Sequence, residues 1–84
     1  MTIRVDPTPN PNALKFTVGM AVGGPVSFPA GKPTDDPMAQ ALLAIDGVTN
    51  VFLTADFVTL SKSPAGSWES IQPAAIEILE EHYG

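Results

Sequence analysis

The sequence predicts an α+β fold, a two-layer sandwich in which an antiparallel sheet of about four strands carries two helices on one face. Three observations predict it. Short segments alternate apolar and polar residues with period two on either side of a helical stretch. Two of these segments, Val48 to Thr54 and Phe57 to Lys62, are joined by Ala55-Asp56 alone, which asks for an antiparallel hairpin. Finally, two stretches carry apolar residues at helical spacing, and one sheet face can bury both stripes.

The elements follow in order. Thr2 to Val5 is short and alternating and is expected to be a first strand. Pro7, Pro9 and Pro11 follow at every second position, with Asn10 and Asn12 beside them. Proline fixes φ and pushes the residue before it toward extended backbone, so this stretch is expected to be a rigid extended loop. Ala13 to Val18 sets Leu14, Phe16 and Val18 against Lys15 and Thr17, a half-buried strand. Glycines and Pro25 break the chain, and Val26 to Phe28 can add a further short strand. Asp36 is a good N-cap with Pro37 at the first helical position, and Gly47 is the expected stop. The first helix is therefore placed over Pro37 to Asp46, with Met38, Ala41, Leu42 and Ile45 on its inner face.

In the hairpin, Phe57 and Thr59 should face one side and Val58 and Leu60 the other. The closing helix runs from about Trp68 to His82. Trp68, Ile71, Ala75, Ile78, Leu79 and His82 share a face opposite Glu69, Glu77 and Glu80. Pro73 sits deep for a helix proline, so a kink, or a start near Ser70, is expected. The predicted core is Leu14, Phe16, Leu42, Ile45, Val51, Val58, Leu60, Ile71 and Ile78.

At 84 residues the chain is expected to be one domain, residues 1–84, without repeats. A domain of this size buries only ~60–65% of the surface its unfolded chain exposes, so there is little room for a deep cavity. Its apolar share of 44% argues for a packed core. Four basic residues against nine acidic give a net charge of −5. Arg4, Lys15, Lys32 and Lys62 are scattered, so no basic face for nucleic acid or anionic membrane is evident. No apolar run approaches the ~20 residues of a membrane span. The N-terminus lacks the pattern of a secretory leader, and a cytoplasmic protein is expected.

Cysteine is absent, which removes disulfides, thiolate metal sites and a cysteine nucleophile. The one histidine, His82, has no second histidine to share a metal with and is read as the edge of a helix face. Asp35-Asp36 before a helix is read as a cap in a favourable helix dipole. The glycines between Gly19 and Gly24 do not match a phosphate-binding loop, and no serine has a histidine placed as base. No cofactor is expected, and the chain is expected not to be an enzyme. The proline–asparagine segment stands out. It reads either as a presenting loop, with Asn10 aimed at a partner, or as a turn whose asparagines cap nearby backbone, the role expected for Asn12.

The segment Thr8-Pro9-Asn10-Pro11-Asn12-Ala13-Leu14-Lys15-Phe16 resembles the opening motif of the N-terminal domain of Nfu/NifU-like iron–sulfur scaffold proteins. Pro37-Met38-Ala39, Leu42 and Ile45-Asp46-Gly47-Val48 are similar to that domain's helix and exit. Val51-Phe52 and Asp56-Phe57-Val58-Thr59-Leu60-Ser61-Lys62 match its hairpin, and Trp68, Ile71, Pro73 and Ile76 its closing helix. The resemblance runs from Thr8 to about Tyr83.

In full-length members a second domain with a Cys-x-x-Cys pair carries the cluster. This chain is expected to act as a stand-alone domain without it, so no cluster ligands are carried over. The resemblance implies a non-catalytic accessory or protein-interaction module in iron–sulfur cluster assembly and iron handling. Its partner would be a protein, either a cysteine-bearing scaffold or a client. The motif match nominates Pro9, Asn10, Pro11, Asn12, Lys15, Asp56, Thr59 and Lys62 as partner-binding residues. The net charge points to a basic patch on that partner. The alternative is a stand-alone small-ligand or metal-ion domain, iron included, using Asp35, Asp36 and His82.

Overall fold

The structure is a computed structural model that describes residues 3–83. Its elements in order are β1 (Arg4–Pro7), β2 (Ala13–Thr17), β3 (Val26–Pro29), α1 (Pro37–Leu43), β4 (Val48–Thr54), β5 (Phe57–Lys62) and α2 (Trp68–Tyr83). The strands form one five-stranded sheet in the order β1-β2-β5-β4-β3, with every neighbouring pair antiparallel.

Register decides which side chains share a face. Phe16 pairs with Val58, Leu14 and Val51 both pair with Leu60, and Leu53 pairs with Val58. These residues line one face, and both helices pack there. Phe16, Val51, Val58, Leu60, Leu42 of α1, and Ile71 and Leu79 of α2 are fully buried in one cluster. Dispersion and water exclusion across this single layer hold the sandwich together. Among the described residues no polar or charged side chain is buried.

Local chemistry explains the joints. The Asp36 carboxylate accepts from the Met38 and Ala39 amides at 3.0 and 3.2 Å and caps α1. Gly47 has φ +97°, and a Cβ there would lie 3.2 Å from Ile71 Cδ1 and from Gly66 Cα. Glycine therefore ends the α1 connection and lets it pass close beneath the start of α2. Pro7 and Pro29 end the two edge strands, where a missing N–H does not break a central ladder.

The α+β sandwich agrees with the sequence expectation, with five strands rather than about four. The added strand is the short β3 on the sheet edge. The first strand is shifted: it covers Arg4–Pro7, so Pro7 belongs to a strand rather than to the loop, and Thr2 lies outside the described residues. The first helix ends at Leu43, not Asp46, because the chain turns from Ala44 to reach Gly47. The second helix starts at Trp68, as the sequence placed it, and not at the alternative Ser70, with Pro73 inside it. Proline there forfeits the helical bond to the carbonyl of Glu69 and crowds that carbonyl with its ring, one turn from the helix start and at an exposed position. Leu14, Ile45 and Ile78 are half-buried around the core rather than within it.

Candidate protein-interaction surface

The nominated residues fall into three places. The first is the β1–β2 connection. The Thr8 hydroxyl accepts from the Asn10 amide at 3.2 Å and lies 2.9 and 3.0 Å from the carbonyls of Asn10 and Ala13. The Asn10 side-chain oxygen accepts from the Asn12 amide at 2.9 Å. The Asn12 oxygen accepts from Lys62 Nζ at 3.1 Å, and Trp68 Nε1 donates to the Pro11 carbonyl at 3.1 Å. Pro9 and Pro11 remain exposed on the outside. Both asparagines therefore act on the loop's own framework, and Trp68 and Lys62 fasten the loop to β5 and α2. Lys62 Nζ also donates to the Ser63 carbonyl at 3.3 Å and lies 5.9 Å from the Trp68 ring centroid.

The second place is the sheet face turned away from the helices. Lys15 and Thr59 are register partners there. Thr59 also pairs with Phe52, and Phe57 pairs with Thr17 and Thr54. Lys15 Nζ sits 4.4 Å from the Phe57 ring centroid, a cation held over the negative face of the ring. No element of the described chain covers this face, and Phe52, Phe57, Thr59 and Lys15 are all half-buried on it. The third place holds Asp56 alone. It is exposed in the β4–β5 turn, at the opposite end of β5 from Lys62, and its carbonyl accepts from the Val18 amide at 2.9 Å.

Asp35, Asp36 and His82 are not brought together as ligands. Asp36 caps α1, and His82 is exposed with its ring edge-on to Tyr83 at 4.6 Å. Among the described residues no three His, Asp or Glu side chains gather where they could hold a metal ion. Tyr83 has its phenol pushed above the ordinary value, first by burial and then by the Asp36 carboxylate. Among those same residues no helix is long and apolar enough to cross a membrane.

Sequence reasoning did not nominate Phe52, Phe57 and Trp68. The first two carried a signal: Phe52 alternates with the buried Val51 and Leu53 in β4, and Phe57 with the buried Val58 and Leu60 in β5, so both rings had to lie on the uncovered side. Trp68 carried none, because its indole bond to Pro11 spans 57 positions.

The family model described as scaffold protein Nfu/NifU N terminal matches residues 3–84. A NifU-like protein of Schizosaccharomyces pombe is 39% identical over 95% of this chain and 33% of its own length. An Arabidopsis thaliana protein named NifU-like protein 5, mitochondrial, is 37% identical over 99% of this chain and 31% of its own. The chain thus spans about a third of the length of the curated relatives it matches. The solution structure of a NifU-like protein from Saccharomyces cerevisiae superposes with a TM-score of 0.81. It is 30% identical and covers 99% of this chain and 80% of that one. The crystal structure of the Staphylococcus aureus protein SAV1430 gives 0.78 at 27% identity, over 93% of this chain and 98% of that one. With the family model matching residues 3–84 and the fold superposing on a NifU-like protein, the chain belongs to the Nfu/NifU N-terminal family of scaffold proteins.

Proposed function

We propose that residues 1–84 act as one non-catalytic protein-interaction module in iron–sulfur cluster assembly, docking a partner without ligating the cluster. Family membership supports the process, since relatives carry the name iron-sulfur cluster scaffold. The lack of cysteine supports the division of labour, because clusters are held by thiolates. One observation carries the docking role: the sheet face with Lys15, Phe52, Phe57 and Thr59 has no covering element. Two-layer domains bury one sheet face, and aromatic rings half-exposed on the other mark a place where a further layer can sit. The partner is a cysteine-bearing scaffold or a client. The exposed Pro9 and Pro11 form a second, smaller contact, stiffened in advance by the Thr8–Asn10–Asn12 bonds.

The compartment in this reading is the cytosol. The mitochondrial names of some relatives make an organelle matrix the alternative, which fractionation of the native cell separates. The function is tested with a photo-crosslinking residue placed at Thr59 and, as control, at Glu77 on the outer face of α2. Crosslinks from Thr59 to a protein with a Cys-x-x-Cys pair or to an iron–sulfur client are expected. Crosslinks only from Glu77, or to proteins outside that process, would remove the reading.

A further inference from the structure

The net charge of −5 invites a basic partner, yet most acidic residues lie away from the uncovered sheet face, as do two of the four basic ones, Lys32 in the β3–α1 loop and Lys62 beside Trp68. Glu69, Glu77, Glu80 and Glu81 are all exposed on α2, and neither helix carries a lysine or arginine. Asp35, Asp36 and Asp46 flank α1, and Asp56 sits in the β4–β5 turn. On the uncovered sheet face the charged residues are Arg4, Asp6 and Lys15, placed by their pairing with Thr17, Lys15 and Thr59. Asp6 is ion-paired to Arg4 at 3.1 Å, while Lys15 is held over Phe57. The remaining polar groups there are neutral hydroxyls and an amide: Thr17, Ser27, Thr54, Thr59, Ser61 and Asn50.

From this distribution we infer that the uncovered sheet face docks an acidic amphipathic helix of a partner protein, its apolar stripe over Phe52 and Phe57 and a flanking carboxylate on Lys15. The inference rests on the docking role proposed above and adds the chemistry of the occupant. A flat, twisted sheet accepts a helix as its third layer, as it already does on the other side. Phe52 and Phe57 stand on adjacent antiparallel strands one pair apart, a diagonal placement of about 7–8 Å that suits a helix stripe. The ammonium over the ring is already partly ordered, which lowers the side-chain entropy lost on pairing. The acidic helix layer at the back repels the same partner and so leaves one productive approach.

The test uses the full chain, 15N-labelled, and two synthetic helical peptides with one apolar stripe, flanked by glutamate in one and lysine in the other. The glutamate peptide should shift the amides around Lys15, Phe57 and Thr59, and added salt should weaken it. Lys15→Glu should lower its affinity on the order of fivefold, the scale of one partly exposed charge pair, and turn preference toward the lysine peptide. Lys15→Gln should lower affinity without that reversal, which guards against a variant that simply folds poorly. Equal binding of both peptides, tighter binding of the lysine peptide, shifts confined to α2, or no shift at millimolar peptide would each overturn the inference. Concentration-dependent shifts on this face without any peptide would assign it to a second copy of the chain instead. The crosslinking result at Thr59 stands apart from all of these, since it reads partner identity and not charge.

Discussion

Asn10 and Asn12 are two positions apart and hold different ends of the same loop. The Asn10 oxygen takes the Asn12 amide, and the Asn12 oxygen takes the Lys62 ammonium. Sequence reasoning aimed Asn10 outward because nothing local says which way a short amide turns. The Thr8 hydroxyl, which organises the same turn, decides it inward. Asn10→Ala should therefore lower stability by about 0.5–2 kcal/mol, the usual loss for a cap-type bond, in a denaturant titration. Tyr83 carries the prediction in pH. Its phenol is raised by burial and by Asp36, so the folded state keeps the proton longer than the unfolded chain. That contribution is fully present below the ordinary phenol value of about 10 and is lost as pH climbs past it. Tyr83→Phe should flatten the alkaline fall in melting temperature, and an unchanged alkaline limb would show the phenol has no part in it.

Among the elements, α2 shows both the reach and the limit of periodicity. Ile71, Ala75 and Leu79 recur every fourth residue and are buried, whereas Ile78, one position from Leu79, is half-buried at the rim. A helix advances 100° per residue, so a stripe counted from sequence is about one residue wide in uncertainty, and only packing shows its centre. Leu79→Ala should cost about 2–5 kcal/mol, and Ile78→Ala clearly less, in the same titration. Equal losses would mean the helix is rotated from the orientation described. The hairpin was legible from Val51 to Lys62, because β4 and β5 meet through a two-residue turn and alternate there, but the register shift between Val48 and Asn50, which buries both Val48 and Val51, was not. The shift of β1 was not. Pro7 reads as a strand breaker until its place on a sheet edge is known. The uncovered face was half legible: Lys15 and Thr59 were nominated by motif, but their meeting with Phe52 depends on register between strands β2, β5 and β4.

For the molecule as a whole, the absence of cysteine makes a direct prediction. Reconstituted anaerobically with iron and sulfide, the chain should gain no stoichiometric cluster absorbance, and a stable chromophore at one cluster per chain would refute the division of labour proposed. The concentration of glutamates on α2 was illegible in the totals, because a net charge has no direction until the fold gives it one. The sheet order β1-β2-β5-β4-β3 carries a different consequence, one of time. The central strand is the last one made. Until Phe57–Lys62 leaves the ribosome, β1–β2 and β3–β4 are two separate ribbons with no shared neighbour, and isolated ribbons are marginal in water. The nascent chain must therefore wait, with Phe16 and Val51 exposed, until β5 slides between its two halves and joins them. Folding becomes a late event driven by pairings far apart in sequence, slow for so short a chain, and the interval before it is when the protein most needs a chaperone.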